Sequence, residues 1–295
     1  MKVLHVCLSC FYIDEHSYQE NILVRKHISQ GHKVKVLAST ENFDKNKQIS
    51  YSPSGTYMGT DGAEVTRIAY AKWLPFSVMK KLRIHTGVYE FIKNFQPDVI
   101  VFHGMCGWEL LTVAKYVRVN SNVILKVDSH EDLVNSGRNF VSKNILHRLY
   151  YKPIAKYASK HLEEILCVSI SVIEFLRDFY ELPKSKLKFY PLGGDIPDDK
   201  NYNLMRNKVR TFHTISENQI LFSQTGKLTP RKKLIKTLKA FTQVKNDSFI
   251  LIGAGVIDLP NQQEIIEIIE SDPRIKYIGW QTSEQIDELL CATDI

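Results

Sequence analysis

Short apolar runs alternate with helical stretches along most of this chain, and that alternation leaves few folds open. Residues 2–8 are rich in Val and Leu, which suits a strand buried on both faces of a parallel sheet. A helix is expected over 17–30, closed by Gly31 and His32, with a second strand at 34–37. This order opens a doubly wound α/β domain. Further strands are expected at 63–68, 99–102, 123–127, 165–168 and 187–190. Helices are expected over 73–95, 110–117 and 142–160, and from a Ser171 cap to Tyr180. Residues 40–62 read as a long polar loop, and 196–218 as a linker. The linker leads to a second α/β unit with strands near 220–225, 248–252 and 275–279. Its helices follow Pro230 and run through 264–270, and a fourth strand is expected to begin within 290–295. The expected domains are 1–195 and 196–295.

A chain of 295 residues has room for two cores, and 44% apolar with 24% charged residues is ordinary for a globular protein. The net charge of +7 favours acidic partners without choosing among them. No segment reaches the length of a transmembrane helix. The N-terminus reads as a first strand rather than a signal peptide, because acidic residues follow its apolar run without a small-residue cleavage site. Five scattered cysteines suit a reducing cytosol. Cys7 and Cys10 have redox or zinc spacing, but no second such pair follows, so they read as a core residue and a loop residue. There is no Gly-x-Ser-x-Gly elbow and no Walker loop, which argues against a serine hydrolase and a P-loop NTPase.

The stretch 220–241 carries the clearest chemical signal. An apolar run ends at Gly226, and Thr229-Pro230 is expected to open a helix with Leu234, Leu238 and Phe241 on its apolar face. Lys227, Arg231, Lys232 and Lys233 lie between strand and helix. Cations and a helix N-terminus beside the carboxyl end of a strand suit a diphosphate. The plainer reading is a solvated basic turn. Gly253-Ala254-Gly255 after a strand lets backbone approach a ligand closely. A dinucleotide fingerprint would need a third Gly, where Val256-Ile257-Asp258 stands.

Taken in order, these motifs resemble glycosyltransferase family 4. The carriers are Gly31-His32-Lys33-Val34, Pro97-Asp98-Val99-Ile100, His130, Pro191-Leu192-Gly193-Gly194-Asp195, the run from Gly226 to Lys232, and Ile252-Gly253-Ala254-Gly255. The resemblance implies an α/β, GT-B-like fold: two Rossmann-type domains facing a cleft, the second incomplete. It implies a retaining transferase that moves a sugar from a nucleotide diphosphate sugar to a glycan or lipid-linked acceptor, with no metal and no cofactor. Such an enzyme would serve cell-surface polysaccharide or lipopolysaccharide synthesis. Lys227 and Lys232 match the basic pair that holds the donor diphosphate, with Gly226, Gly253 and Gly255 beside it. Family members often carry Arg where Lys227 stands, so a bidentate grip is exchanged for a point charge. His130 matches a histidine near the reaction centre. The stretch 17–21 replaces the paired glycines many members carry, and its Tyr18 and Asn21 fall on the acceptor side. A pair of glutamates that the family places after the strand near Ile295 is missing, so the chain reads as a fragment or a truncated homologue.

From the residues alone, His130 lies in an acidic loop at a strand end, which suits a functional histidine or one paired with Asp128 or Asp132. Those two carboxylates either orient His130, bind acceptor hydroxyls or cap the next helix. His103 ends a strand on the same sheet edge and either lines the acceptor side or is structural. Residues 71–84 mix Trp73, Leu74, Phe76, Val78, Met79, Leu82 and Ile84 with Lys72, Lys80, Lys81 and Arg83. They read as a peripheral contact with an anionic membrane or as a helix packed on its own sheet. The expected location is cytoplasmic, at the inner face of the cell membrane if that contact forms. Nucleic acid is not an expected partner. The alternatives are a non-catalytic homologue that binds a glycan or partner, and a nucleotide-sugar epimerase-like protein.

Overall fold

The computed structural model describes every residue except 15, 17, 45–47, 195 and 258–261. The expected helix start at Ser17, the motif residue Asp195 and the Asp258 of the fingerprint comparison lie outside the described residues. The chain divides into two compact units, Met1–Gly194 and Asp195–Ile295.

Among the described residues the first unit holds ten strands: β1 (Lys2–Cys7), β2 (Lys33–Ser39), β3 (Glu41–Phe43), β4 (Ile49–Tyr51), β5 (Gly55–Met58), β6 (Glu64–Ile68), β7 (Val99–His103), β8 (Ile124–Ser129), β9 (Glu164–Cys167) and β10 (Leu187–Phe189). Eight form one sheet in the order β10-β9-β8-β7-β1-β2-β6-β5, parallel except for β5 at its edge. β1 is therefore central, and the order reverses between it and β7. Alternation in β1 sends Leu4 and Val6 to one core, with Ile100 and Phe102. Val3 and Cys7 go to the other, with Val24 of the helix Gln19–Ser29. Full burial of each large aliphatic side chain contributes about 1.5–3 kcal/mol. Gly31, at φ +80°, ends that helix. Its amide donates to Ile28 O (2.8 Å) and the His32 amide to His27 O (3.1 Å), which returns the chain sharply to β2.

Several expectations need correction. The segment 40–62 is not a plain loop: it holds the β3–β4 hairpin and edge strand β5. The expected helix over 73–95 is two short ones, Phe76–Leu82 and Val88–Phe95, separated at left-handed Arg83 and Gly87. Ser169, not Ser171, caps the helix beginning at Ile170, accepting from the Val172 amide at 3.3 Å.

The second unit is a parallel sheet of β11 (Ile220–Thr225), β12 (Phe249–Ala254) and β13 (Ile275–Tyr277). Leu234, Leu238, Phe241 and Ile265 cover one face; Val209, Leu289 and Ala292 cover the other. The supposed linker is in fact mostly the helix Asp199–Phe212. Asp198 caps it by accepting from the Asn201 amide (2.8 Å), and Arg210 is buried against Ala292 O and Asp294. Its hydrophilicity hid it, because few of its side chains are buried. Residues 290–292 end the helix Ser283–Ala292 rather than starting a strand, although Ser223 and Ile295 then share a backbone hydrogen bond of 3.1 Å.

Candidate functional site

In the first unit the chemistry gathers at the carboxyl ends of β7 and β8, next to the reversal of strand order where open α/β sheets bind ligands. Asp128 and His103 are wholly buried and paired through Oδ2 and Nδ1. The Gly104 amide donates to Asp128 Oδ1 at 3.0 Å. Burial opposes charge on both groups. The pairing outweighs it: Asp128, with Cys7 and Glu20 adding, lifts His103 to about 10. The His103 cation and its hydrogen bond, with His130 and the Gly104 amide, hold the Asp128 carboxyl below its ordinary range.

His130 follows β8, partly exposed, with Nε2 3.9 Å from Asp128 Oδ1. That nitrogen is buried yet has no hydrogen-bond partner, an arrangement that calls for a reason. Glu131 braces the loop: its carboxylate accepts from the Met105 amide (2.9 Å), Ser129 Oγ (2.6 Å) and the His130 amide (3.1 Å). Glu131 is not among the residues expected at the site, although it stands beside His130 in the sequence. The signal available was an acidic residue flanking a loop histidine.

Other expected site residues sit elsewhere. His103 does not line a surface; it is enclosed between Asp128 and His5, which corrects its placement on the acceptor side. Asp132 accepts from the Asn135 amide (2.6 Å) and side chain (2.9 Å), so it caps the following turn instead of orienting His130. Asn21 is buried against Ile13 O and the Asp61 carboxylate, a structural post. Tyr18 is partly exposed at the start of the helix Gln19–Ser29, against the His16 ring.

In the second unit the basic loop does follow β11. Gly226, Lys227 and Lys232 are exposed. Thr229-Pro230 does not open the helix. It begins a short tight turn, Pro230–Lys232; Lys233 is left-handed (φ 55°), and the helix runs Leu234–Gln243. The Lys232 carbonyl accepts from Gln224 Nε2 at 2.7 Å, which ties the turn to β11. Gly253 lies inside β12. Gly255 is needed for a reason other than ligand approach: a Cβ there would stand 1.8 Å from Gly226 O. The two loops lie backbone on backbone, with the Gly226 amide on Ala254 O (3.0 Å) and the Leu228 amide on Val256 O (2.9 Å).

No protein-family model and no curated protein matches the chain. Solved structures do. The chain aligns over its full length with 72% of Anabaena Alr3699/HepE, solved in complex with UDP, at a TM-score of 0.61 and 14% identity. Against WaaG, a glycosyltransferase involved in lipopolysaccharide biosynthesis, 99% of this chain covers 73% of that one, at 0.59 and 13%. Against the UDP-GlcNAc 2-epimerase of Neisseria meningitidis, bound to UDP-GlcNAc, the shares are 99% and 76%, at 0.51 and 11%. The fold is GT-B. At these identities the likeness carries the fold and leaves the chemistry to the residues.

Proposed function

We propose that this GT-B chain is a retaining glycosyltransferase of the family 4 type, taking a nucleotide diphosphate sugar as donor and a glycan or lipid-linked alcohol as acceptor. One observation carries the reading: Lys227 and Lys232 are exposed in the loop that follows β11, whose Gly226 lies backbone on backbone against Gly255. Bound there, a diphosphate meets point charges that stabilise the negative charge growing on the leaving group. In the first unit, the partly exposed His130, beside the buried Asp128–His103 pair, is the residue proposed to meet an acceptor hydroxyl. No metal or cofactor enters the proposal. The proposed setting is cell-surface polysaccharide or lipopolysaccharide synthesis in the cytoplasm.

Lys232→Ala is expected to weaken binding of a nucleoside diphosphate by about 1.5–3 kcal/mol, the scale of one charge-assisted hydrogen bond. Calorimetry with UDP, GDP and ADP measures it, and an unchanged affinity would move the diphosphate elsewhere. The epimerase reading rests on the fold shared with the Neisseria protein. Incubation with the preferred nucleotide sugar and no acceptor separates the two, since only an epimerase changes the sugar.

Among the described residues no helix is long and apolar enough to cross a membrane. A surface contact is the relevant question for 71–84. Trp73, Leu74, Phe76 and Val78 are exposed, at 72%, 52%, 52% and 38%, whereas Met79 and Ile84 are buried with Tyr70 and Ala71, so the stretch divides between a small core and a solvent-facing apolar edge. The cations divide. Arg83 is turned inward onto Ser9 O and Cys106 O, and Lys80 binds Glu41 (2.9 Å) and Tyr51 (2.7 Å). Lys72 and Lys81 remain exposed. Two cations at about 1 kcal/mol each predict weak, salt-sensitive attachment to an anionic surface. In co-sedimentation with phosphatidylglycerol vesicles, the wild type should bind at low salt. A variant with Trp73→Ala, Phe76→Ala, Lys72→Ser and Lys81→Ser should stay in solution. Equal sedimentation would remove the membrane from the proposal.

A further inference from the structure

Behind the Asp128–His103 pair runs a line of imidazoles. His103 Nε2 lies 2.9 Å from His5 Nδ1, and His5 Nε2 lies 2.9 Å from His27 Nδ1. His5 and His103 are fully buried; His27, in the last turn of the helix Gln19–Ser29, is partly exposed. The line begins beneath His130 and reaches water on the helix side of the sheet.

We propose that His103, His5 and His27 form a proton relay that joins the buried His103, held on Asp128, to solvent through the helix layer, independently of the His130 loop.

Two arrangements are the end states of the line, one with the charge on His103 and one with all three rings neutral. With His103 charged, it donates Nδ1–H to Asp128 and Nε2–H to His5. His5 then accepts on Nδ1 and donates Nε2–H to His27, which carries its own proton on Nε2. With His103 neutral, its Nδ1–H stays on Asp128 and its Nε2 becomes an acceptor. His5 must then donate from Nδ1 and accept on Nε2, and His27 must donate from Nδ1. Passage between them is a sequence of hops. The His103 Nε2–H bond breaks as His5 Nδ1–H forms, the His5 Nε2–H bond breaks as His27 Nδ1–H forms, and His27 Nε2 gives its proton to water. One proton leaves the protein, no other bond changes, and His5 and His27 both end in the opposite tautomer.

The surrounding charges set where a proton rests on the line. His103 faces Asp128 from β8, Cys7 from β1 and Glu20 from the helix, and Asp128 also faces His130. His5 is faced by His103 and His27, and burial with these two holds its pKa well below the ordinary value. His27 is lowered by burial and by His32 and His103. A charge on the line therefore rests at His103, and the outer two rings carry protons without keeping them. His5 and His27 act through His103 and are positioning residues.

The test is 15N spectroscopy of histidine-labelled protein across the titration of His103, at about pH 10. Below it, His5 and His27 should be neutral with protons on Nε2; through it, both should change tautomer together with the loss of the His103 proton. His27→Gln, at the half-exposed end, should keep the fold but lose proton transfer out of the line, so His103 no longer exchanges with water by this route. His5→Phe should abolish the concerted change. A purely structural network would leave the His5 and His27 tautomers fixed through the His103 titration and His103 exchange unaffected by His27→Gln. Either result overturns the relay. The nitrogen signals require no substrate, so a failed relay is distinct from failed nucleotide binding.

Discussion

Gly255→Ala is expected to cost the second unit about 3 kcal/mol or more, the sum of overpacking and a strained positive φ. The added carbon would stand 1.8 Å from a backbone oxygen, Gly226 O, and no side-chain rotation relieves it. The residue's φ of +134° already excludes most L side chains. Two neighbours supply the scale. Gly226→Ala meets open space but keeps a φ of +109°, so its cost should be intermediate. Gly253→Ala meets only a Tyr277 ring carbon at 3.7 Å, an ordinary contact, and should be mild. Hydrogen exchange of the amides of β11 and β12 gives the three values side by side. Equal protection in all three variants would mean that the loops do not touch as described.

Asp128→Ala should be the most damaging change in the first unit. Removing one partner of a buried ion pair costs about 3–5 kcal/mol, because the remaining charge has neither water nor a partner. The pH dependence gives a sharper signature. His103 has a folded pKa of about 10, above the ordinary histidine value near 6.5. A raised pKa stabilises fully below the unfolded value and loses that contribution as pH climbs through the folded one. Wild-type stability should therefore decline between about pH 6.5 and 10. Asp128, held low, adds a contribution present above its ordinary pKa and lost as pH falls through the lowered one. Denaturant titrations over this range check both. In Asp128→Ala the alkaline decline attributable to His103 should flatten; a slope identical to wild type would detach His103 from Asp128.

The strands were the most legible part of this chain, because a parallel strand buried on both faces writes an unbroken apolar run. Val99–His103 and Phe249–Ala254 are of this kind. Elements stabilised by polar contacts were not legible. The helix Asp199–Phe212 is held by arginines reaching carbonyls and a carboxylate some eighty residues away, and no local pattern announces that. The site divides in the same manner. His130 and the basic loop stood out because loop charges at strand ends are visible in a string of letters. His5 did not: a lone histidine inside an apolar strand reads as core, and its link to His103 spans 98 residues. Gly255 was noticed for the right property, freedom from a Cβ, but the neighbour requiring it proved to be the chain itself.

The clasp of Arg206 and Arg210 on Asp294 has a consequence in time. The partners are separated by 88 and 84 residues. The three-stranded sheet can assemble from nearby segments, but the helix Asp199–Phe212 has little apolar surface of its own and docks only once the helix Ser283–Ala292 is present. At synthesis rates of about 5–20 residues per second, the interval between the two is roughly 4–18 s. From the moment each is made until the interval ends, Leu221, Ile250 and Ile252 lack the cover they have in the folded unit. That interval is when the nascent second unit is most exposed to aggregation and of most interest to a chaperone.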